Sequence, residues 1–351
     1  MKLSRGLVLW FVSAVFLLFS GFAVAGADKE RRWTIDDLLA EQPRPFVIGH
    51  RGYGENLGEN PDQPIENTIA SITRAFKEGV SIVEVDVVMT ADQHAVALHD
   101  DFLSDFTCVN TLTFGELKKR LPYVPTLKQI LNVAKQFSQR NPAKDNDSIS
   151  GLVNIEVKTP APLCDPDDNT EAKVVASVLR AVEKTKSSQQ VIIEAFSPAI
   201  LGMFAAEAPA IKRNFSINIL QLLSQEEVEA LTGLPVTLID KNDGFGLQWA
   251  EIGVIFRLPG YRSIEEYINV AYGLGADLVT LDKLIPGQFD SLQPGSAALL
   301  VAQLHALGFN VTAYTVDTEA EWLFMSAIGI DAIYTNDIPL GLLLEGSAER
   351  D

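Results

Sequence analysis

Two acidic side chains interrupt an apolar run in the segment Ile82–Val88. Glu84 and Asp86 lie two positions apart, and because side chains alternate between the faces of a β-strand, both carboxylates should point the same way. Carboxylates buried in an apolar strand are costly unless a cation balances them. A hard divalent cation, which prefers oxygen ligands, would remove that cost. The alternative is a solvated strand edge with two acids, which the five apolar neighbours make a poor fit.

A histidine and an arginine follow a second short apolar run. Phe46–Gly49 has the length of a buried strand and leads directly into His50 and Arg51. A titratable imidazole beside a permanent cation suits an anionic substrate, and Gly52 lets the backbone turn sharply or approach a ligand. Taken alone, the pair is equally compatible with a strand that ends at the surface.

Three further groups complete an ordered set. They are Glu66-Asn67-Thr68, His99-Asp100 and Glu156-Val157-Lys158. With the two groups above, they resemble the motifs of the glycerophosphodiester phosphodiesterase family, in the order His-Arg-Gly, Glu-Asn-Thr, Glu-x-Asp, His-Asp and Glu-x-Lys. The resemblance runs from about residue 46 to about residue 339, and its specific part lies between His50 and Lys158.

The resemblance implies a role for each motif residue. It makes His50 and His99 the catalytic pair, and it leaves open which is acid, which is base, and whether water or a glycerol hydroxyl attacks first. It implies that Glu84, Asp86 and Glu156 bind a divalent metal ion, Ca²⁺ or Mg²⁺. Lys158 would face the substrate phosphate, which Arg51 is able to hold through two hydrogen bonds. Glu66 would lie near the site, with capping of the following helix as its alternative role.

The turn Thr90–Gln93 predicts how His99 reaches the acids. It looks like a hairpin turn, and if Ala91 and Asp92 are its two loop residues, Glu84 lies directly opposite His99. The two other histidines, His94 and His305, are predicted to take no part in catalysis.

From Phe46 onward the sequence alternates strand and helix patterns. Eight such units predict an α/β fold, a (β/α)8 TIM barrel, with a hairpin insertion after the second strand and a long loop insertion, Gln225–Arg262, after the fifth. An open doubly wound sheet is the alternative fold. The predicted strands are Phe46–Gly49, Ile82–Val88, Leu152–Val157, Val191–Ala195, Phe215–Leu222, Asp277–Leu281, Asn310–Thr315 and Ala332–Tyr334, and the first predicted helix is Glu66–Glu78.

The N-terminus has the three parts of a signal peptide. A basic start at Lys2 and Arg5 precedes the apolar run Gly6–Phe22 and the small-x-small site Ala23-Val24-Ala25. We therefore expect a signal peptide at 1–25, a lead segment at 26–44 and the barrel domain at 45–345, in an exported protein that is periplasmic or secreted. An uncleaved membrane anchor is the alternative. Export would permit a disulfide between the only two cysteines, Cys108 and Cys164.

The net charge of −18 argues against nucleic acid or an anionic membrane as the main partner. The expected partner is a small glycerophosphodiester, with no stable membrane insertion once the signal is removed, and the oligomeric state is not predicted. The family resemblance predicts metal-dependent hydrolysis of glycerophosphodiesters to glycerol 3-phosphate and an alcohol. The alternatives are a phospholipase D-like enzyme acting on lysophospholipids or sphingomyelin, and an idle barrel that binds phosphorylated ligands. Tyr314 and Asn336 depart from the family pattern, where tryptophan and aspartate are usual.

Overall fold

A computed structural model describes residues 32–140, 148–239, 244–249, 252–258 and 262–348. The predicted signal peptide lies outside these residues. Twelve strands are present in the described part: β1 (Phe46–Gly49), β2 (Ile82–Met89), β3 (Ala95–Ala97), β4 (Leu152–Val157), β5 (Val191–Ala195), β6 (Lys212–Ile217), β7 (Val236–Ile239), β8 (Gly244–Trp249), β9 (Gly253–Leu258), β10 (Leu278–Asp282), β11 (Asn310–Tyr314) and β12 (Ala332–Thr335).

Twelve α-helices accompany the strands in the same described ranges. They are α1 (Ile35–Glu41), α2 (Ile69–Glu78), α3 (Phe114–Arg120), α4 (Leu127–Phe137), α5 (Glu171–Thr185), α6 (Pro198–Glu207), α7 (Gln225–Thr232), α8 (Ile264–Gly273), α9 (Leu284–Leu292), α10 (Ser296–Ala306), α11 (Glu319–Ala327) and α12 (Ile338–Ala348). Within those ranges, none of the helices has both the length and the apolar character needed to cross a bilayer.

Eight parallel strands close into a barrel in the order β1-β2-β4-β5-β6-β10-β11-β12, because β1 pairs with both β2 and β12. The predicted TIM barrel is therefore confirmed, and the open doubly wound sheet is wrong. Outward-facing valines of β2, such as Val85 and Val87, pack in the large core between strands and helices. Inward-facing Ile48 and Ile82 pack with Trp33 in a second core, which closes the N-terminal end of the barrel.

The hairpin register predicted for β2 and β3 is wrong by one residue. Val87 pairs with Ala97 and Met89 with Ala95, so the loop has three residues rather than two. The third, Gln93, has a φ of 58°, as in the three-residue hairpin loops that end in a left-handed residue. Glu84 is therefore not directly opposite His99.

The fifth barrel strand begins and ends earlier than predicted. β6 stops at Ile217, and Ile219–Leu222 is a 3₁₀ helix. The change of structure follows from Asn218, whose side chain accepts a hydrogen bond from the backbone N–H of Leu220, while Gln221 accepts one from the backbone of Asn218. This reciprocal cap satisfies polar groups that a continuing strand would pair in the sheet.

The insertion after this strand is more ordered than a loop. It contains α7 and a separate antiparallel sheet in the order β7-β8-β9. The first predicted helix also differs, because it begins at Ile69 after the N-cap Thr68, and Glu66 precedes it as part of a turn.

A disulfide joins Cys108 to Cys164, with 5.4 Å between the two Cα atoms. The bridge that the sequence left open is thus formed, and it ties the segment after β3 to the segment after β4. The two cysteines are 56 residues apart, so the bond restricts a long loop in the unfolded chain.

Replacing both cysteines by serine should lower the free energy of unfolding by about 2–4 kcal/mol, mainly because the unfolded chain regains freedom. Urea denaturation of the oxidised protein, the reduced protein and the Cys108→Ser/Cys164→Ser variant measures this. The reduced protein and the variant should agree. An unchanged midpoint in both would contradict the prediction.

Candidate active site

Three carboxylates meet at the C-terminal end of the barrel. Asp86 on β2 and Glu156 on β4 are partners in the parallel register, and Glu84 lies on the same face of β2 as Asp86. One oxygen from each side chain lies within 4.8 Å of the others. Glu84 and Asp86 are 1 % exposed, so water screens their mutual repulsion poorly.

Two cationic side chains lie against these acids. Nζ of Lys158 is 2.7 Å from Oδ1 of Asp86 and 2.5 Å from Oε1 of Glu156. Nε of Arg51 is 3.4 Å from Oδ2 of Asp86, and the backbone N–H of Arg51 donates to Oε2 of Glu84 at 2.8 Å. The cations therefore converge on Asp86 and leave Glu84 with a single backbone donor.

The balance of charges differs between the two acids of β2. Burial opposes ionisation of Asp86, but Lys158, His99 and Arg51 together hold the pKa of its carboxyl well below its usual range. Burial and then the neighbouring carboxylates Asp86 and Glu156 raise the pKa of Glu84 well above its usual value. Glu84 is thus the acid for which the cluster supplies least positive charge.

The acid cluster fits a divalent cation. Among the described residues no donor bonds Oε1 of Glu84, although the atom is buried, and a buried polar atom without a partner is costly. An oxygen-preferring cation such as Ca²⁺ or Mg²⁺ would be held by Glu84, Asp86 and Glu156 and would satisfy that atom.

A tight turn after β1 brings Arg51 to the acids. Arg51 and Gly52 have φ angles of 50° and 92°. A Cβ on Gly52 would lie 2.5 Å from Oγ of Ser71, so glycine is needed both for the backbone conformation and for the close approach. Oγ of Ser71 accepts from the backbone N–H of Tyr53 at 2.7 Å and donates to the carbonyl oxygen of Arg51 at 3.0 Å.

The Glu-Asn-Thr segment supports the same residues. Nη1 of Arg51 donates to Oε1 of Glu66 at 2.8 Å. Asn67, with a φ of 55°, donates from Nδ2 to Oδ2 of Asp86 at 2.8 Å and accepts from the backbone N–H of Asp86 at 3.0 Å. Thr68 caps α2 through the N–H of Ser71. Thr68 therefore caps the helix, whereas Glu66 orients Arg51 and Asn67 orients Asp86.

His50 is held by Asn336, which follows β12. Nδ2 of Asn336 donates to Oδ2 of Asp317 at 3.0 Å, which leaves its Oδ1 facing Nδ1 of His50 at 2.8 Å. Nδ1 must then carry the proton, and Nε2 presents its lone pair. Burial, reinforced by the Arg51 cation, lowers the pKa of His50 to about 4. Asn336, at a position where the family pattern usually has aspartate, therefore contacts His50 directly.

His99 reaches the cluster although it is not opposite Glu84. The backbone N–H of Leu98 donates to the carbonyl oxygen of Asp86 at 3.2 Å, which brings the next residue to the strand end. Nδ1 of His99 donates to Oδ1 of Asp100 at 2.8 Å, and the imidazole lines a cavity with Glu156 and Lys158.

All eight residues named from the sequence therefore lie at one end of the barrel: His50, Arg51, Glu66, Glu84, Asp86, His99, Glu156 and Lys158. His94 and His305 lie elsewhere. His94 is exposed at the hairpin tip, and Nε2 of His305 bonds Oδ2 of Asp331 at 2.8 Å.

A buried carboxyl next to the acid cluster is not among the residues named from the sequence. Glu194 on β5 is the register partner of Glu156 and accepts hydrogen bonds from Tyr334, Asn154 and Ser216. Burial and the Glu156 carboxylate raise the pKa of Glu194 to about 7. The signal that could have identified it is the one that singled out Glu84, an acid within an apolar strand.

Comparison with known proteins identifies the family of this chain. The model of the glycerophosphoryl diester phosphodiesterase family matches residues 50–241. This is more than half of the chain, so the chain belongs to that family. The family resemblance and the enzyme class expected from the sequence, a glycerophosphodiester phosphodiesterase, are therefore confirmed.

Individual relatives are distant. A glycerophosphodiester phosphodiesterase of Caldanaerobacter subterraneus is 29 % identical over 185 residues, which cover 48 % of this chain and 65 % of that relative. A crystal structure of a glycerophosphodiester phosphodiesterase from Parabacteroides distasonis has a TM-score of 0.59 at 18 % identity and covers 88 % of this chain and 99 % of its own. The structure of a phosphodiesterase of Oleispira antarctica, in complex with the product sn-glycerol-3-phosphate, has a TM-score of 0.56 at 19 % identity. It covers 88 % of this chain and 97 % of its own. At these identities the solved structures show the shared fold.

The charge imbalance at Glu84 predicts a gain in stability on its neutralisation. In a chelator at neutral pH, Glu84→Gln should raise the free energy of unfolding by about 1 kcal/mol or more, because the buried carboxyl must either repel its neighbours or take up a proton, and the amide does neither. The amide oxygen can still accept from Arg51. Urea denaturation in EDTA and in Ca²⁺ measures the change. The wild type should gain stability from Ca²⁺ and the variant should gain less. A variant less stable than wild type in EDTA would contradict the prediction.

Proposed function

We propose that this protein hydrolyses glycerophosphodiesters to glycerol 3-phosphate and an alcohol, with a divalent metal ion held by Glu84, Asp86 and Glu156. The observation that carries the proposal is the meeting of three buried acids, two cations and two histidines at the loop end of a barrel of this family. Active sites of such barrels lie at the C-terminal ends of their strands. When bound, the metal ion neutralises and polarises the phosphate oxygens.

Arg51 and Lys158 supply the phosphate-binding groups. Both side chains are charged at physiological pH, because the neighbouring carboxylates outweigh burial and raise the pKa of each. Arg51 is fixed by Glu66 at 2.8 Å, so its guanidinium is already oriented when the substrate arrives. A rigid guanidinium fork and a compact ammonium suit two different oxygens of a phosphodiester.

The hydrogen bonds of the two histidines divide the proton transfers between them. His50 is neutral with Nε2 unprotonated, since Asn336 takes its Nδ1–H, so His50 is suited to accept a proton from the attacking hydroxyl. Nδ1–H of His99 donates to the carboxylate of Asp100, which orients the ring with Nε2 free to carry a second proton, so Nε2–H of His99 is suited to protonate the departing alkoxide. We therefore assign the base to His50 and the acid to His99.

The substrate and the need for metal are tested in one assay. The mature protein should release glycerol 3-phosphate from glycerophosphocholine, lose this activity in EDTA, and regain it with added Ca²⁺ or Mg²⁺. Activity that survives EDTA and dialysis would contradict the metal assignment. Lysophosphatidylcholine is the matched second substrate, and choline release from that lipid alone would favour a phospholipase D-like enzyme.

The histidine roles are tested with two leaving groups. His50→Ala and His99→Ala should each lower kcat on glycerophosphocholine by about 10²–10⁴-fold, with a smaller change in KM because Arg51 and Lys158 still hold the phosphate. A nitrophenyl ester of glycerol phosphate needs no proton on departure, so it should restore turnover in His99→Ala only.

His94→Ala, at the exposed hairpin tip, is the matched control and should behave as wild type. If the nitrophenyl ester instead restores turnover in His50→Ala, the acid is His50 and the base is His99. Normal turnover of glycerophosphocholine by His99→Ala would remove this histidine from the mechanism.

We further propose that the protein is exported and that cleavage after Ala25 releases it. The disulfide between Cys108 and Cys164 supports this, because such bonds persist in oxidising compartments. Intact-mass measurement of protein from the envelope and the medium should find a chain that begins at Gly26. A membrane-bound form that retains residues 1–25 would show an anchor instead.

A further inference from the structure

A cavity of about 320 Å³ opens beside the proposed phosphate site. Its lining includes His99, Glu156 and Lys158 together with residues 255–257 of the inserted strand β9. A phosphodiester carries two substituents, and this space is open to one of them when the phosphate lies between Lys158 and His99. The inserted sheet contributes to the wall of that space.

Aromatic rings form much of the cavity wall. Phe102, Phe196 and Phe256 come from three separate segments, after β3, after β5 and within β9. Phe102 stacks on Phe106 with ring centroids 5.6 Å apart, and Phe256 is 46 % exposed. Phenyl rings have no N–H or oxygen atom to hydrogen-bond the hydroxyls of a polyol, but their faces attract cations.

Asp101 adds a negative charge to the same wall. Its Oδ2 accepts from the backbone N–H of Ala161 at 2.7 Å, and among the described residues no cationic side chain forms an ion pair with it. Burial, and then the carboxylates of Asp100 and Asp165, raise the pKa of Asp101 to about 6. At neutral pH the cavity therefore contains an ionised carboxylate that lacks a counter-ion.

The cations that line this cavity are already balanced. Arg257 lies 2.8 Å from Oδ1 of Asp168, and Lys158 bonds two acids of the metal cluster. Neither neutralises Asp101. An arriving positive group would meet the Asp101 carboxylate without displacing an existing ion pair.

Cross-links between neighbouring loops fix the wall in place. The Cys108–Cys164 disulfide joins the loop of Phe102 to the loop of Ala161. Phe102 also pairs with Cys108 through an isolated antiparallel β-bridge of the backbone. The backbone N–H of Leu163 donates to the carbonyl oxygen of Val254 at 3.0 Å, which attaches the inserted sheet. A wall that is ordered before binding loses little entropy when the ligand enters.

We propose that this cavity is the subsite for an alcohol moiety that carries a quaternary ammonium group, recognised by Asp101 and by the faces of Phe102, Phe196 and Phe256. The inference rests on the proposed hydrolysis of glycerophosphodiesters and specifies which alcohol is preferred. A quaternary ammonium group has no N–H to satisfy, so aromatic faces and one carboxylate suffice to bind it.

The test compares two substrates that differ in one charge. Glycerophosphocholine carries the quaternary ammonium, and glycerophospho-3,3-dimethylbutanol replaces that nitrogen with carbon at the same size. The wild type should show a kcat/KM about tenfold higher for the choline ester, as cation–π and carboxylate contacts of this strength imply. Asp101→Asn should lower that ratio at least threefold, because it weakens kcat/KM for the choline ester more than kcat/KM for the neutral ester. Phe256→Ala should also lower the ratio.

Asp101→Asn keeps an oxygen to accept from Ala161, and unchanged thermal unfolding would show that the loop is intact. Asp105→Asn is the matched control, because Asp105 lies on the same loop but pairs with Arg120 outside the cavity. A wild-type ratio near one, or a ratio unaffected by Asp101→Asn, would overturn the subsite while leaving the proposed function standing. Hydrolysis of neither ester would overturn the proposed function and the subsite with it.

Discussion

Mutual repulsion among buried carboxylates governs the mouth of this barrel. Asp86 and Glu156 are neighbours across the β2–β4 ladder, and Glu84 shares the face of Asp86. Their oxygens lie within 4.8 Å of one another where water screens charge poorly. Lys158 and Arg51 offset part of this charge, chiefly at Asp86. A cluster that remains short of positive charge suits a divalent cation and, through it, a phosphodiester.

Hydrogen bonds from neighbouring residues hold the charged side chains of the site close together. Asn67 fixes Asp86 from a left-handed turn, and Gly52 lets the chain pass close to α2 so that Arg51 faces inward. Behind the acids, Glu194 accepts bonds from Tyr334 and other polar side chains inside the barrel. These side chains are buried, so the geometry at the mouth depends on residues that lie behind the charged cluster.

Much of this arrangement could be predicted from the sequence, because apolar strands that end in polar residues mark the barrel and its active end. The period of two placed Glu84 and Asp86 together, and the family motifs supplied the rest of the charged set. The hairpin register could not be predicted, since a single left-handed residue, Gln93, adds one position to the loop. The hydrogen-bond partner of His50 could not be predicted either, because Asn336 comes close to it only when β12 closes the barrel against β1. The pocket wall formed by the inserted sheet depends equally on contacts between distant segments.

A crystal structure with Mn²⁺ and glycerol 3-phosphate would show whether the three acids hold a metal ion that binds the phosphate, because Mn²⁺ scatters anomalously and takes the oxygen ligands that Mg²⁺ takes. We expect one anomalous peak bonded to Glu84, Asp86 and Glu156 at about 2.2 Å, close to metal–oxygen distances for small divalent ions. We also expect a phosphate oxygen on the metal, with Arg51 and Lys158 on the same phosphate. A metal ion bound elsewhere, or a phosphate remote from the three acids, would contradict the proposed site.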